Sequence, residues 1–207
     1  ESNNLALRGV VKALRRKHSQ LHMIISAIEH PSVAETAKDL ENEGVKLTVV
    51  PVQSSGHINI DDVIAEVKPE TCLVSVMLAN NEIGTIQAVE ALGKALKKKQ
   101  EVRGKNTLPL LFHTDATQAV AWLPLTTIMR NVDLLSFSGH KISGPKGVGG
   151  LVVREKTPIA RTQAGGSHEK MLRAGTLNVS GLVGLSQALS FLPYDATKIR
   201  NVRDAFE

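Results

Sequence analysis

Short, almost wholly apolar runs alternate along this chain with amphipathic stretches, and this alternation limits the fold more than any other feature. The runs His22–Ile28, Lys46–Val52, Cys72–Leu78, Leu110–Thr114, Asp133–Phe137 and Gly149–Arg154 have strand length and little polar alternation. That pattern suits a mostly parallel sheet covered on both faces. Between them, Ser2–Lys17, Ser32–Glu43, Asp61–Val67, Val89–Lys99 and Ser180–Phe191 carry apolar residues at helical spacing. Ser32 with Glu35 suggests a capping box, and Gly44 a stop. The stretch Gln100–Pro109 lacks periodicity and reads as an exposed connection. Pro193 breaks the last strong helical pattern, and Tyr194–Glu207 reads as a helix leading away. The fold class is α/β.

Composition narrows the functions. The chain has 207 residues, 42% hydrophobic and 22% charged, within the range of a globular protein. No apolar run approaches the roughly 20 residues that cross a bilayer, so no membrane role is expected. The lone cysteine, Cys72, excludes an internal disulfide and a multi-cysteine metal site within one chain, and no metal site is expected. The net charge of +5 is concentrated in two segments. Arg8, Lys12, Arg15, Arg16 and Lys17 form one, and Lys94, Lys97, Lys98, Lys99, Arg103 and Lys105 the other. The remaining body is net acidic, and aromatic residues make up only 3%. The basic segments therefore read as solvated helix faces and a loop, and no nucleic-acid partner is expected.

Ligands of open α/β sheets bind beyond the carboxyl ends of the strands, so the residues after each run carry the functional signal. They are unusually polar: Glu29-His30-Pro31, Asn80-Asn81-Glu82, His113-Thr114-Asp115-Ala116-Thr117-Gln118 and Ser138-Gly139-His140-Lys141. A lysine directly after an apolar strand suggests burial, a lowered amine pKa and Schiff-base chemistry. The alternative is a lysine that snorkels or pairs with Asp133. Asp115 at a strand end needs a hydrogen-bonding or cationic partner; a pyridinium nitrogen is one, and a helix N-cap role is the alternative. His30 could stack on a flat ligand and move protons, or simply pack or cap. Gln118 and Asn81 are ordinary turn residues unless they converge on one oxygen.

Taken in order, further segments join these. They are Glu1-Ser2-Asn3-Asn4, Asn80-Asn81-Glu82-Ile83-Gly84-Thr85-Ile86-Gln87, Ser136-Phe137-Ser138-Gly139-His140-Lys141 with Gly144-Pro145-Lys146-Gly147-Val148-Gly149, Gly165-Gly166-Ser167-His168-Glu169, and Arg173-Ala174-Gly175-Thr176-Leu177. The whole set resembles the cysteine desulfurases and selenocysteine lyases of the class V aminotransferase-like pyridoxal-phosphate enzymes. The likeness runs through essentially the whole chain and favours the desulfurase branch that supplies iron–sulfur assembly. It implies a fold type I large domain over residues 1–192, lacking its start, and a linker or helix over 193–207 leading to a small C-terminal domain. It further implies that Lys141 holds pyridoxal 5'-phosphate covalently, Asp115 binds the pyridine nitrogen and Gln118 the ring hydroxyl, with Asn81 nearby. His30 would stack over the ring and assist proton transfer. Ser138 and His140 would hold the phosphate, helped by Thr176 from the second subunit of a homodimer.

Departures from the family pattern matter as well. The phosphate-binding Gly-Ala-Thr that precedes Glu-Ser-Asn-Asn in the family is not in this sequence, and Lys170 stands where another basic residue is usual. The nucleophilic cysteine and the arginine that clamps the substrate carboxylate belong to a later domain in the family. Cys72 is no substitute: inside an apolar strand it behaves as a small buried hydrophobe. The resemblance implies L-cysteine as substrate, L-selenocysteine as the alternative, and sulfur-acceptor or scaffold proteins as partners. A non-catalytic scaffold is the reading from another class. Low cysteine usage fits a reducing intracellular setting, cytoplasmic or mitochondrial, and leaves the compartment open.

Overall fold

The computed structural model describes residues 1–104, 107–192 and 195–206. Among them the strands β1 (His22–Ser26), β2 (Lys46–Val50), β3 (Thr71–Ser75), β4 (Leu111–Asp115), β5 (Leu134–Ser138) and β6 (Gly149–Val153) form one sheet in the order β2-β1-β3-β4-β5-β6. All neighbouring pairs are parallel except β5 with β6, which is antiparallel. The strands β1, β3 and β4 are buried along their whole length, as expected of a sheet covered on both faces. The outer strands β2 and β6 are only partly buried.

Two cores flank the sheet. On one face α1 (Ser2–Leu14) and α2 (Pro31–Asn42) lay Leu7, Val10, Val33 and Leu40 against Met23, Ile25 and Leu134. On the other, α4 (Val89–Arg103) and α6 (Val179–Ser190) cover Ile24, Val74, Phe112 and Leu135, with Val63 of α3 (Ile60–Ala65) and Ile128 of α5 (Thr126–Met129) completing the layer. A fully buried Leu, Ile or Phe in such a layer contributes about 1.5–3 kcal/mol.

Some boundaries differ from the sequence expectation, each for a physical reason. α2 begins at Pro31, and its N-cap is His30, whose ring accepts from the Ser32 amide; Ser32 is no capping-box N-cap, and Glu35 pairs instead with Lys38. Gly44, at φ +90°, ends that helix as expected. α4 runs four residues past Lys99 into the stretch expected to be a loop. Its last turn is polar, so hydrophobic periodicity fades, yet Gln, Glu and Arg are good helix formers. Arg103 then anchors the end by donating to Thr71 O (3.0 Å) and Pro69 O (2.6 Å). Lys105, Pro193 and Tyr194 lie outside the described residues. The helix expected after them is α7 (Ala196–Phe206), none of whose described residues is buried. The basic segments are helix faces in part: Arg8 on α1 pairs with Asp39 and Glu43, and Lys94 on α4 with Glu90, whereas Arg15, Arg16 and Lys17 lie in the turn after α1. No helix of the described residues is long and apolar enough to cross a membrane.

Candidate functional site

The strand order reverses between β1 and β3, because β2 lies to one side of β1 and the later strands to the other. Such a switch point opens a crevice beyond the strand ends. The chain bridges it with polar contacts. Glu29 Oε1 accepts from the Met77 amide (2.8 Å) and from Ser26 Oγ, and Asn80 Nδ2 donates to Ile28 O (3.1 Å). Both hold the loop that presents His30. The parallel strands β1, β3, β4 and β5 thus deliver His30, Asn81, Asp115 and Ser138–Lys141 to one edge of the sheet.

Asp115 is buried at the end of β4. Its Oδ1 accepts from the Thr117 amide (2.9 Å), a local turn bond; a turn and not a helix follows, so the helix N-cap offered as the alternative role is not what forms. Its Oδ2 accepts from Asn3 Nδ2 (2.7 Å). A carboxylate has about four acceptor sites, so two donors leave capacity for another. Asn3, on the first turn of α1, is the centre of a network that the sequence did not disclose. Nδ2 also donates to Ser32 Oγ (2.8 Å), and Oδ1 accepts from Ser136 Oγ. Because Asp115 offers only acceptors, the Asn3 amide has one possible orientation. Ser136 spends its proton on Asn3, so His113 Nε2 donates to Ser136 Oγ (3.1 Å) and Ser75 Oγ donates to His113 Nδ1 (2.8 Å). Burial pushes the His113 imidazole down to about 4, so it is neutral at pH 7, as this network requires.

His30 is exposed, and its Nδ1 accepts from the Ser32 amide (3.2 Å) and lies 2.8 Å from Ser32 Oγ. A backbone N–H only donates, so the neutral ring carries its proton on Nε2. The capping role foreseen as an alternative is therefore real, and it engages Nδ1 and not Nε2. Ser138 Oγ lies 2.7 Å from His140 Nδ1, which joins a hydroxyl and an imidazole at the mouth of the next turn.

Lys141 departs from the expectation. It is exposed rather than buried: it lies on a one-turn 3-10 segment, Gly139–Ile142, that follows β5 directly and buries Gly139 and Ile142 instead. A Cβ on Gly139 would stand 3.0 Å from Val148 O and 3.1 Å from a Leu185 methyl, so this close turn fits glycine. Lys141 is not paired with Asp133 either: that carboxylate accepts from the Phe112 amide (2.9 Å) and pairs with Arg154 (3.3 Å). Gln118 is half-buried, and Asn81 and Thr176 are exposed. None of these three hydrogen-bonds another candidate residue among the described residues. Cys72 is buried, donates weakly to His22 O (3.3 Å), and burial pushes its thiol up to about 12. It is an inert core residue.

Sequence reasoning missed Asn3, Ser75, Ser136 and Glu29 as site residues. Their signal was present: Asn3, Ser75 and Ser136 are polar side chains at positions the apolar pattern assigns to the interior, and Glu29 stands among the polar residues that follow a strand.

The donor set fits pyridoxal phosphate. A buried carboxylate with acceptor capacity, an exposed amine, a hydroxyl–imidazole pair and a second imidazole suit a pyridinium, an aldehyde, a phosphate and a flat ring. Comparison with known proteins gives the same direction. The family model described as aminotransferase class-V matches residues 1–205. The chain is 39% identical over 207 residues to a cysteine desulfurase IscS of Clostridium botulinum, covering 98% of this chain and 49% of that protein. It is 40% identical over 206 residues to a mitochondrial cysteine desulfurase of Arthroderma benhamiae, covering 96% and 39%. Among solved structures, a NifS-like protein superposes with a TM-score of 0.84 at 39% identity, over 92% of this chain and 50% of the other. SspA in complex with cysteine superposes with a TM-score of 0.84 at 33% identity, over 99% and 57%. The chain spans about half the length of the first two relatives at most.

Proposed function

The chain belongs to the class V aminotransferase family, and from that membership we propose that the whole protein is a pyridoxal-phosphate-dependent cysteine desulfurase. It converts L-cysteine to L-alanine and transfers the sulfur to an enzyme cysteine thiol as a persulfide, in service of iron–sulfur cluster or thio-cofactor assembly. The observation that carries the reading is the delivery of Asp115, His30, Ser138, His140 and Lys141 to one sheet edge, at the ends of three parallel strands.

Each residue then has a task. Lys141 Nζ holds the cofactor and moves the α-proton of the substrate. Bound pyridoxal phosphate supplies an electron sink for the charge left behind. Asp115 keeps the ring nitrogen protonated, and Asn3 holds that carboxylate in place. Gln118 contacts the ring hydroxyl, with Asn81 beside it. Ser138 and His140 hold the phosphate by charge-assisted hydrogen bonds, completed by Thr176 of a second subunit in a homodimer. His30 covers the ring face and exchanges a proton at Nε2. The sulfur-accepting thiol is not Cys72, which is buried in β3.

The test uses the full-length protein loaded with pyridoxal phosphate. Incubation with L-cysteine should release alanine in step with sulfide or persulfide, and Lys141→Ala should abolish both alanine and the borohydride-reducible cofactor adduct. No alanine from a loaded wild type would refute the desulfurase reading. Alanine formed only from L-selenocysteine would transfer the protein to the lyase class.

A further inference from the structure

Glu29 is a buried carboxyl group that neither the fold nor the proposed mechanism has so far used. It lies directly before His30, and its two oxygens differ completely. Oε1 accepts from the Met77 amide and from Ser26 Oγ, whereas Oε2 is buried without any hydrogen-bond partner. Among the described residues no ion pair joins it to a cation, and no cation acts on its titration. The charged group that acts on it from across β3 is Asp115 on β4, of like sign. Its other close neighbour, His30, turns its Nδ1 to Ser32.

An ionised carboxylate in this setting would bury an unsolvated oxygen beside a second negative charge. A protonated one would leave only a hydroxyl without an acceptor, which costs far less. The carbonyl end is already identified: Oε1 takes both donors, so the proton belongs on Oε2. We propose that Glu29 is a neutral carboxylic acid in the native protein. In that state it is the positioning residue that anchors the His30 loop to β3 while leaving Asp115 the only negative charge at the ring-nitrogen end of the site. Desolvation, reinforced by Asp115, pushes the Glu29 carboxyl up to about 8, in agreement with the geometry.

The first part of this inference concerns the chain alone. Its consequence for the cofactor rests on the reading of the site given above. The experiment separates the two. Infrared difference spectra of cofactor-free full-length protein should show the carbonyl band of a protonated carboxylic acid at pH 6 that fades through about pH 8 and is missing in Glu29→Gln. Absence of that band in the wild type at pH 6 would overturn the proposal, whatever the protein catalyses. In the loaded protein, Glu29→Gln should keep the cofactor and lose any alkaline change in its visible spectrum that the wild type shows near pH 8. Glu29→Ala, which frees the Met77 amide and the His30 loop, should weaken cofactor retention roughly tenfold. Loss of the cofactor in Glu29→Gln equal to that in Glu29→Ala would show that the charge, not the hydrogen bonding, was required, and would overturn the proposal. If the wild type takes up no pyridoxal phosphate, the functional reading fails and the infrared result still decides the state of Glu29. Should Glu29→Ala not fold, the Gln variant and the infrared band remain as the deciding measurements.

Discussion

Replacing Asn3 by alanine should be one of the most costly single changes in this chain, although Asn3 lies on the first turn of a helix, where substitutions are usually mild. The side chain is buried and all its hydrogen-bonding capacity but one lone pair is used. Truncation removes a hydrogen bond to the charged Asp115, worth about 1.5–3 kcal/mol, and a neutral one to Ser32, worth about 0.5–1.5 kcal/mol. It also leaves the buried Ser136 hydroxyl without its acceptor, a penalty of about 1–3 kcal/mol. These contributions are not additive, and water can occupy part of the space vacated. A cost of about 3–5 kcal/mol is therefore expected, a large part of the roughly 5–15 kcal/mol that holds a domain together. The assay is denaturant unfolding of the cofactor-free full-length protein, read as a fall in midpoint at unchanged slope. Ser136→Ala in the same background tests the mechanism. If Asn3 and Ser136 act through one bond, the double variant should fall short of the sum of the singles by about 0.5–3 kcal/mol. A cost for Asn3→Ala within about 0.5 kcal/mol, the range of surface substitutions, would refute the network as described. Full additivity with Ser136→Ala would refute the link between them.

Two further predictions follow from the same buried polar groups. His113 is held neutral with its pKa pushed down to about 4, below the ordinary 6.5, so the unfolded chain binds its proton first as the pH falls. Its contribution is intact above pH 6.5 and is lost between there and about 4, at about 1.4 kcal/mol per pH unit. Glu29 works in the opposite sense between about 4.5 and 8, so the loss should be clearest as a steeper fall of the unfolding midpoint below pH 6.5 in Glu29→Gln than in Glu29→Gln/His113→Gln. A midpoint independent of pH between 6.5 and 4.5 in the single variant would count against a buried neutral imidazole. Cys72, with its thiol pushed up to about 12, should resist alkylation in the native protein at pH 8 and react only on denaturation. Mass spectrometry of the Cys72 peptide decides this, and rapid native labelling would contradict the inert-core assignment.

The fold was legible because burial on both faces of the sheet writes itself as uninterrupted apolar runs. β1, β3 and β4 could be recognised from composition alone, with ends no more than three residues from those observed. The end of α4 was not, since Gln100–Arg103 continue the helix with polar residues and are held by backbone carbonyls of Pro69 and Thr71 some thirty residues earlier. The strand-end cluster was legible as well: Asp115, His30 and Ser138 to Lys141 stand out as polar residues where strands stop. Their environments were not. Lys141 is exposed on a 3-10 turn that follows β5 and buries Gly139 and Ile142, and a tetrapeptide does not state which of its side chains a turn will bury. Asn3 and Ser136 lie 133 positions apart and gain their meaning from the first turn of α1 settling over the ends of β4 and β5.

Under the proposed function, the local and ligand roles that the sequence set out as competing for His30 and Asp115 are compatible. His30 caps α2, and the cap spends Nδ1, which fixes the tautomer and leaves Nε2 for exchange with a ligand. Asp115 accepts the turn bond from Thr117, and that bond with the one from Asn3 holds both oxygens in a fixed plane while leaving acceptor sites open. A group that must meet a flat ring at a set angle needs its freedom removed beforehand, because ordering it on binding would cost conformational entropy. Ordinary caps and turns perform that restraint here. A polar residue at a strand end that makes only local contacts is therefore no evidence against a functional role. The discriminating observation is whether those contacts exhaust its hydrogen-bonding capacity, and at both His30 and Asp115 they do not.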